Sequence, residues 1–303
     1  MLIFDTDAGH DDVLAMLMLL KSKQFDVLGI TTVAGNSTLE NATRNTAFAL
    51  DLLGRRDIPI FSGAAKPLKR QLVQAVVHGH SGLDGADTSR TSYTLTNNAV
   101  NKLIELVRAH PYEVTILTLG PLTNIAKAFE ADPDLPTLVK GLVIMGGVVD
   151  GVGNKNRVAE FNIFVDPEAA HIVFSANVKK TLIPFDICRD IVFPLKDFDK
   201  LKGTSLHKPV KKMMKPFISG LKAEEGINGA LLPDPIAAYY LLNPRVYTIK
   251  PMDIVVETSG KHTSGMTVIE KRKNKPQKYN IEVATRIIEN KFKQHFFKLL
   301  RKA

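Results

Sequence analysis

The chain begins with acidic side chains whose spacing could support metal or proton chemistry. In "MLIFDTDAGHDD", four carboxylates stand within eight residues, directly after four apolar residues: Asp5, Asp7, Asp11 and Asp12. "MLIF" predicts a buried strand, and Gly9 permits a tight turn before a helix that starts near Asp11. Because Asp5 and Asp7 stand two residues apart, we expect them to point the same way and all four carboxylates to converge.

Such a cluster needs compensating positive charge. At about 5 Å and an effective dielectric of ~20, two carboxylates repel each other by roughly 3 kcal/mol. A helix N-terminus offers only about half a positive charge in return. Protons or a metal ion must therefore neutralise the cluster. The motif contains no cysteine, and its only nitrogen ligand is His10, so its oxygen donors favour calcium or magnesium over zinc.

Further polar groups follow other apolar strands. Asn36 ends "TTVAGN", the backbone of Leu119 and Gly120 follows "TILT", and Glu160 lies in the loop after "LVIMGG". Ligands in open α/β sheets bind at the carboxyl ends of the strands. We therefore expect these groups and the acidic cluster to share one site.

The elements that must position this site alternate between strand and helix along the chain. This alternation predicts an α/β fold with one domain over 1–303: an open, mainly parallel (mixed), Rossmann-like sheet flanked by helices, with the active site at the strand carboxyl ends. Local signals predict a capping box at Ser37 and Glu40, a helix that begins at Pro121, and another that begins at Asp166-Pro167. Two long irregular stretches, 62–96 and 203–233, are candidate lids.

Composition narrows the class of protein. With a single cysteine, Cys188, the 303-residue chain forms no intrachain disulfide and no cysteine-based zinc site, which is typical of the cytoplasm. No apolar run approaches the ~20 residues of a membrane span, and Asp5 comes too early for a signal peptide.

The net charge of +9 divides into −4 over 1–178 and +13 over 179–303. Without aromatic-interleaved basic motifs, we interpret the lysines as solvated faces and expect neither a nucleic acid polymer nor a membrane as partner.

Taken together, the motifs resemble a known enzyme family. "DTDAGHDD", "TTVAGN", "VHGHSG", "LGPLTNIA", "MGG", "AEFNIFVDPEAA", "PDPIAAYYL" and "SGMTVIE" occur in the order and spacing of the inosine-uridine-type nucleoside hydrolases, over essentially the whole chain. The resemblance implies hydrolysis of the N-glycosidic bond of ribonucleosides to base and ribose, a role in nucleoside salvage, a bound calcium ion, and a homodimer or homotetramer.

The resemblance also implies roles for individual residues. The calcium ligands would be Asp7, Asp12, the carbonyl oxygen of Leu119, and Asp234, with Asp7 also acting as general base. His78 would lie beside the base or the sugar. The remaining substrate-binding residues would hydrogen-bond the ribose: Asp11, Asn36, Asn154, Glu160 and Asn162. Because the ribose hydroxyls would ligate the ion, deoxynucleosides are expected to be poor substrates.

One departure from the family pattern concerns the leaving group. Many members have a histidine directly before the late metal-binding aspartate, where it is thought to protonate the base, but this chain has Pro233. His80, or Glu224 and Glu225, are candidate replacements. A general acid contributes typically 10²- to 10⁴-fold, so its loss would slow the reaction without abolishing it.

Two other functions stay open from the sequence. A calcium-dependent ribonucleoside-binding protein with weak or no catalysis would also fit Pro233. A haloacid-dehalogenase-like phosphatase shares the apolar strand and "DxD", but a late "GDxxxD" motif is not found. Tyr239 and Tyr240 are expected to pack on the core rather than to stack on a base, and base preference is open.

Overall fold

The computed structural model describes residues 1–272, 274–275 and 278–302. Over these residues the strands are β1 (Leu2–Thr6), β2 (Val27–Thr32), β3 (Ile60–Ser62), β4 (Thr115–Thr118), β5 (Gly141–Met145), β6 (Lys180–Ile183), β7 (Val192–Phe193), β8 (Ala230–Leu231), β9 (Tyr247–Met252), β10 (Ile254–Val256), β11 (Thr267–Ile269) and β12 (Ile281–Ile287). The α-helices are α1 (His10–Ser22), α2 (Leu39–Leu53), α3 (Ala99–Ala109), α4 (Thr123–Ala131), α5 (Leu135–Leu138), α6 (Phe161–Val165), α7 (Pro167–Ser175), α8 (His207–Glu225), α9 (Pro233–Leu242) and α10 (Glu289–Leu300).

The main sheet has eight strands in the order β3-β2-β1-β4-β5-β6-β12-β9. Every neighbouring pair is parallel except β12 and β9. The chain adds β2 and β3 on one side of β1 and then continues with β4 on the other side. This reversal opens a crevice at the carboxyl ends of β1 and β4, which is where such sheets bind ligands. The single-domain, mixed α/β fold confirms the prediction.

Apolar layers cover both faces of this sheet. On one face, α1 packs between the sheet and helices α2, α8, α9 and α10. The sequence "VLAMLMLL" is apolar all around the helix, and 12 of the 13 residues of α1 are buried, as expected of an enclosed helix. On the other face, α3, α4 and α7 bury their apolar stripes. The strand ends are therefore held by packing on both sides.

Two predicted helix starts are wrong and one is confirmed. Thr38, not Ser37, caps α2, since its side chain accepts the N–H of Asn41. Helix α4 begins at Thr123, after Pro121 has ended the turn that follows β4. Asp166 caps α7 as predicted, and Pro167 occupies its first turn.

The two candidate lids differ in structure. Residues 63–98 contain neither helix nor strand, whereas most of the second stretch forms the 19-residue helix α8. Arg70 anchors the first stretch through a bidentate ion pair with Glu168 (2.9 Å) and a hydrogen bond to Ser264 Oγ (2.7 Å). Within the described part of the chain, no helix is both long and apolar enough to cross a membrane.

Candidate active site

The turn after β1 places the first acidic residues. The strand ends at Thr6, and Ala8 adopts a positive φ of 44°. Asp12, at the third position of α1, accepts the Gly9 N–H (2.8 Å) and the Thr6 hydroxyl (2.5 Å). Its carboxyl is thus fixed by local sequence. A Cβ at residue 9 would stand 2.5 Å from the Asn36 amide, so only glycine fits this turn.

Three carboxyl groups meet at the carboxyl end of the sheet. Asp11, Asp12 and Asp234 place one oxygen each within 4.8 Å of one another, and all three side chains are buried. Asp234 arrives from the first turn of α9, which packs along α1. Two elements separated by more than 200 residues therefore build one acidic cluster.

Asp7 borders this cluster. It accepts hydrogen bonds from the backbone N–H of Asn36 (2.7 Å) and from Asn36 Nδ2 (3.1 Å), and the same Nδ2 lies 3.3 Å from Asp12 Oδ2. The Asn36 amide thus lies between the Asp7 and Asp12 carboxyls. The geometric cluster includes Asp11, whereas the family pattern places Asp7 among the ligands. The structure brings both acids to the same place.

Burial and mutual repulsion disfavour the ionised forms of these acids. Burial, together with the charge of Asp12, raises the pKa of Asp11 to about 7. The same causes raise the pKa values of Asp7 and Asp234 well above the ordinary range. No ion pair within the described residues includes any of the four acids. A cation would relieve this repulsion, and the all-oxygen donors suit a hard divalent ion.

Leu119 directly follows β4 and lines a cavity at this end of the sheet. Its carbonyl oxygen accepts a hydrogen bond from Asn162 Nδ2 (2.9 Å). A carbonyl oxygen has two lone pairs, so this bond leaves one available to a further partner. The donor set is therefore compatible with the ligands that the sequence predicts.

Two acids of the cluster, Asp11 and Asp234, line a cavity of about 180 Å³, whereas Asp7 and Asp12 are not among its lining residues. Glu160 is buried there as the N-cap of α6 and accepts the N–H groups of Gly147 (2.9 Å) and Asn162 (2.8 Å), while burial raises its pKa to about 7. Asn154 is exposed, and its Oδ1 accepts a hydrogen bond from the N–H of Phe161 (3.0 Å). All expected substrate-binding residues line this cavity: Asp11, Asn36, His78, Asn154, Glu160 and Asn162.

Asp5 does not join the cluster, contrary to the prediction that all four N-terminal acids converge. Its Oδ1 accepts Thr31 Oγ1 (2.6 Å) and Asn124 Nδ2 (2.8 Å), and burial raises its pKa to about 6. The two-residue alternation of side chains applies only within a strand. Since β1 ends at Thr6, Asp7 has already left that pattern.

Three stacked rings lie beside the acidic site; His78 and Phe217 line the cavity, whereas His10 is not among its lining residues. The rings of His10, His78 and Phe217 lie 4.8 to 5.3 Å apart with interplanar angles of 9° to 26°. Phe217 belongs to the apolar stripe of α8. Its helical spacing in the sequence therefore predicts that it is buried, but does not indicate that it lies at the site.

The residues considered as proton donors to the leaving base, or as rings that stack on it, differ in whether they line the cavity. Pro233, Glu224 and Glu225 line the cavity, whereas His80 is exposed and is not among the lining residues. Desolvation raises the pKa of Glu225 above its ordinary value. Tyr239 is buried, with its hydroxyl 3.0 Å from His295 Nδ1, and Tyr240 packs edge-on against Tyr247. Both tyrosines lie in the core, as expected.

Fold and site together define an α/β protein with a buried, metal-type carboxylate cluster at the switch point of a parallel sheet. Comparison with known proteins gives the family. The family model described as "Inosine-uridine preferring nucleoside hydrolase" matches residues 2–294. The chain belongs to this family of nucleoside hydrolases, whose homologues act on N-glycosyl compounds.

Individual relatives agree with this assignment. A pyrimidine-specific ribonucleoside hydrolase RihA of Citrobacter koseri is 40% identical over 273 residues, which is 88% of this chain and 87% of the relative. Among solved structures, a plant nucleoside hydrolase has a TM-score of 0.93 at 29% identity, and a purine-preferring ribonucleoside hydrolase from Gardnerella vaginalis has 0.88 at 28%. In both, the match covers 100% of this chain and 99% of the other. These findings favour the hydrolase over the alternatives left open by the sequence.

Proposed function

We propose that this nucleoside hydrolase cleaves pyrimidine ribonucleosides to free base and ribose in a calcium-dependent reaction, as part of nucleoside salvage. The observation that carries the proposal is the buried cluster of Asp11, Asp12 and Asp234, which lacks an ion-pair partner within the described residues and contributes Asp11 and Asp234 to the lining of a cavity. A divalent cation bound to this cluster would neutralise its negative charge without protonating the acids.

The proposed calcium ligands are Asp7, Asp12, the Leu119 carbonyl oxygen and Asp234. Their oxygen donors fit calcium or magnesium by hardness, and calcium is preferred because the family pattern implies it. When bound, the ion supplies positive charge that orients the ribose hydroxyls and acidifies the attacking water. Asp11 places a carboxylate oxygen within 4.8 Å of oxygens of Asp12 and Asp234 and is proposed to accept a hydrogen bond from a ribose hydroxyl.

Asp7 is the proposed general base. Its two hydrogen bonds from Asn36 fix the orientation of the carboxyl, as a positioned general base requires. The reaction develops oxocarbenium character on the ribose, which the surrounding acids stabilise. The water proton would pass to Asp7 as the water oxygen attacks C1′.

The ribose is proposed to be held by hydrogen bonds from the walls of the cavity. Glu160 is already oriented by backbone N–H groups, and its remaining lone pairs are available to sugar hydroxyls. The side-chain amides of Asn36, Asn154 and Asn162 can each donate or accept a hydrogen bond with a ribose hydroxyl. The proposed ribose contacts are Asp11, Asn36, Asn154, Glu160 and Asn162, with His78 on the side of the base.

A pyrimidine is the proposed leaving base. The 40% identical relative is named pyrimidine-specific, and this chain has no tryptophan with which to stack a purine. Of the three stacked rings, only His78 and Phe217 line the described cavity. Uridine and cytidine are therefore expected to be turned over faster than inosine and adenosine.

The decisive experiment measures free ribose from uridine, cytidine, inosine and adenosine, with calcium and after treatment with EDTA. We expect ribose from the two pyrimidine nucleosides only when calcium is present. Asp12→Ala should lose calcium binding and turnover together, whereas Asp190→Ala, an exposed acid, should lose neither. Saturable uridine binding without ribose release would instead support the binding protein that Pro233 left open.

Two broader properties complete the proposal. The family resemblance supports a homodimer or homotetramer, which light scattering of the purified protein would measure. A cytoplasmic location is supported by the single, buried cysteine, Cys188, since a reducing compartment does not require disulfides. The partner is proposed to be a small ribonucleoside, with no role for a nucleic acid polymer.

A further inference from the structure

The departing base leaves the ribose with negative charge. If the proposed function holds, the C1′–N bond breaks with its electron pair on the base, and the charge spreads to the ring carbonyl oxygens. Water bonds to C1′, its proton passes to Asp7, and solvent later protonates the released base. Residue 233 is a proline and has no side-chain proton to give. Positive charge and hydrogen-bond donors beside the base would therefore lower the barrier.

The lining of the cavity offers a base anion little positive charge. Among the described residues that line it, one is a lysine, Lys155, and none is an arginine. Burial lowers the pKa of His78 well below its ordinary value, so this ring adds no charge near pH 7. Carboxylic acids outnumber the lysine by five to one: Asp11, Glu160, Glu224, Glu225 and Asp234. Because carboxylates repel an anionic leaving group, Lys155 is the side chain that could offset this repulsion.

Lys155 has a fixed place in the loop between β5 and α6. Its backbone N–H donates to the Ala159 carbonyl oxygen (3.2 Å). The asparagines on either side of the lysine close the loop. Asn154 Oδ1 accepts the Phe161 N–H (3.0 Å), and Asn156 Oδ1 accepts the Ala159 N–H (2.7 Å). The backbone that carries Lys155 is therefore tied to the start of α6.

The ammonium group of Lys155 lies beside an aromatic ring of the cavity. The side chain is half-buried, and its Nζ lies 5.8 Å from the centroid of the Phe161 ring, which also lines the cavity. This distance is near the outer limit of a cation–π contact, about 6 Å, and such a contact uses none of the three N–H donors. Within the described residues, Lys155 makes no ion pair with an acid. Its charge and its donors are thus available to a ligand.

A cation at this place favours the base, rather than the ribose, as its partner. Aromatic rings such as Phe161 are surfaces on which a planar base can pack. The ribose develops oxocarbenium character in the transition state, so positive charge beside the sugar would oppose the reaction. The base develops the opposite charge, and the same ammonium group would stabilise it.

We propose that Lys155 is a catalytic residue, whose ammonium group donates a hydrogen bond to a carbonyl oxygen of the departing pyrimidine. The ammonium keeps its proton throughout, and its charge stabilises the base anion until solvent protonates it. The interaction strengthens as the C1′–N bond breaks, because neutral uridine carries no such charge. Lys155 therefore offsets in part the absence of an acid at residue 233.

The first test compares two ribonucleosides whose bases differ in acidity. The fluorine of 5-fluorouridine withdraws electrons and makes its base a better leaving group than uracil. Lys155→Met should lower kcat on uridine by about tenfold or more, as expected for a lost charge-assisted hydrogen bond, with KM changed less than about twofold. The loss on 5-fluorouridine should be smaller, because its anion needs less stabilisation. Lys155→Arg, which keeps the charge, should recover part of the uridine rate.

The matched control is Lys140→Met. Lys140 is exposed and directly precedes β5, at the end of the strand opposite to the cavity, so this variant should leave both rates unchanged. Equal losses on the two nucleosides for Lys155→Met would show that the loss does not depend on charge at the base. Unchanged rates would remove Lys155 from the reaction, and a faster reaction would place its charge beside the ribose. Each of these three results overturns the proposal.

A second measurement does not depend on turnover. If the wild-type protein hydrolyses neither nucleoside, the proposed function itself fails, and equilibrium dialysis with free bases still tests the role of the ammonium group. At pH 8, 5-nitrouracil is largely an anion, whereas uracil is neutral. Lys155→Met should bind 5-nitrouracil about tenfold more weakly than the wild type does, and uracil nearly as well. Equal weakening for both bases, or no difference between the two proteins, would contradict the proposal.

Discussion

Replacing Asp11 by asparagine should stabilise the metal-free protein, and more so at higher pH. In the folded chain, burial and the charge of Asp12 raise the pKa of Asp11 to about 7, against an ordinary value of 3.8. Between these two pH values the folded state binds more protons than the unfolded state. The free energy of unfolding therefore falls as pH rises from about 4 to about 7, and asparagine removes this loss.

The magnitude follows from the shift of the Asp11 pKa from 3.8 to about 7. At roughly 1.4 kcal/mol per pKa unit, the full penalty above pH 7 is about 4 kcal/mol. At pH 5, where the folded carboxyl is still protonated, it is about 2 kcal/mol. Asp11→Asn should therefore gain about 2 to 3 kcal/mol more stability at pH 8 than at pH 5.

The assay is urea unfolding in EDTA at pH 5 and pH 8, with the wild type, Asp11→Asn and the exposed-site control Asp190→Asn. The control should shift the midpoint equally little at both pH values. An Asp11→Asn gain that is the same at both, or a loss at pH 8, would refute the electrostatic account of the cluster. Repeating the series with calcium separates two roles of Asp11: retained calcium stabilisation fits a ribose contact, and lost stabilisation fits a metal ligand.

Three further predictions address the reaction and the loop over the cavity. Asp7→Asn should lower kcat on uridine by about 10² or more, as loss of a general base does, with a much smaller change in KM; an unchanged kcat would remove Asp7 from the base role. Deoxyuridine should yield sugar far more slowly than uridine, and equal rates would show that the 2′-hydroxyl is not recognised. Arg70→Met should speed chymotryptic cleavage at Tyr93, because the loop loses its bidentate bond to Glu168; digestion at the wild-type rate would show that other contacts hold the loop.

Much of the site could be predicted from the sequence because its parts are local. Gly9 and Asp12 form the turn and cap of α1 through groups only three residues apart, and the strand–helix alternation implies that strand ends share an edge. Asp234 entered the predicted site through the family resemblance, because local reasoning alone would not connect it to the N-terminus. Asp5 was misplaced because the alternation of side chains stops where β1 stops, and that boundary depends on pairing with neighbouring strands.

By itself, the sequence determined the fold class, the acidic character of the site and the absence of a histidine before Asp234. These properties follow from residue type, hydrophobic period and short-range hydrogen bonds. Only the tertiary structure decided that Asp11, Asp12 and Asp234 meet within 4.8 Å, and that the rings of His10, His78 and Phe217 stack on one another. Those contacts join α1, α8, α9 and a long loop, and the packing of distant elements around a common core, rather than any local preference, fixes the distances between them.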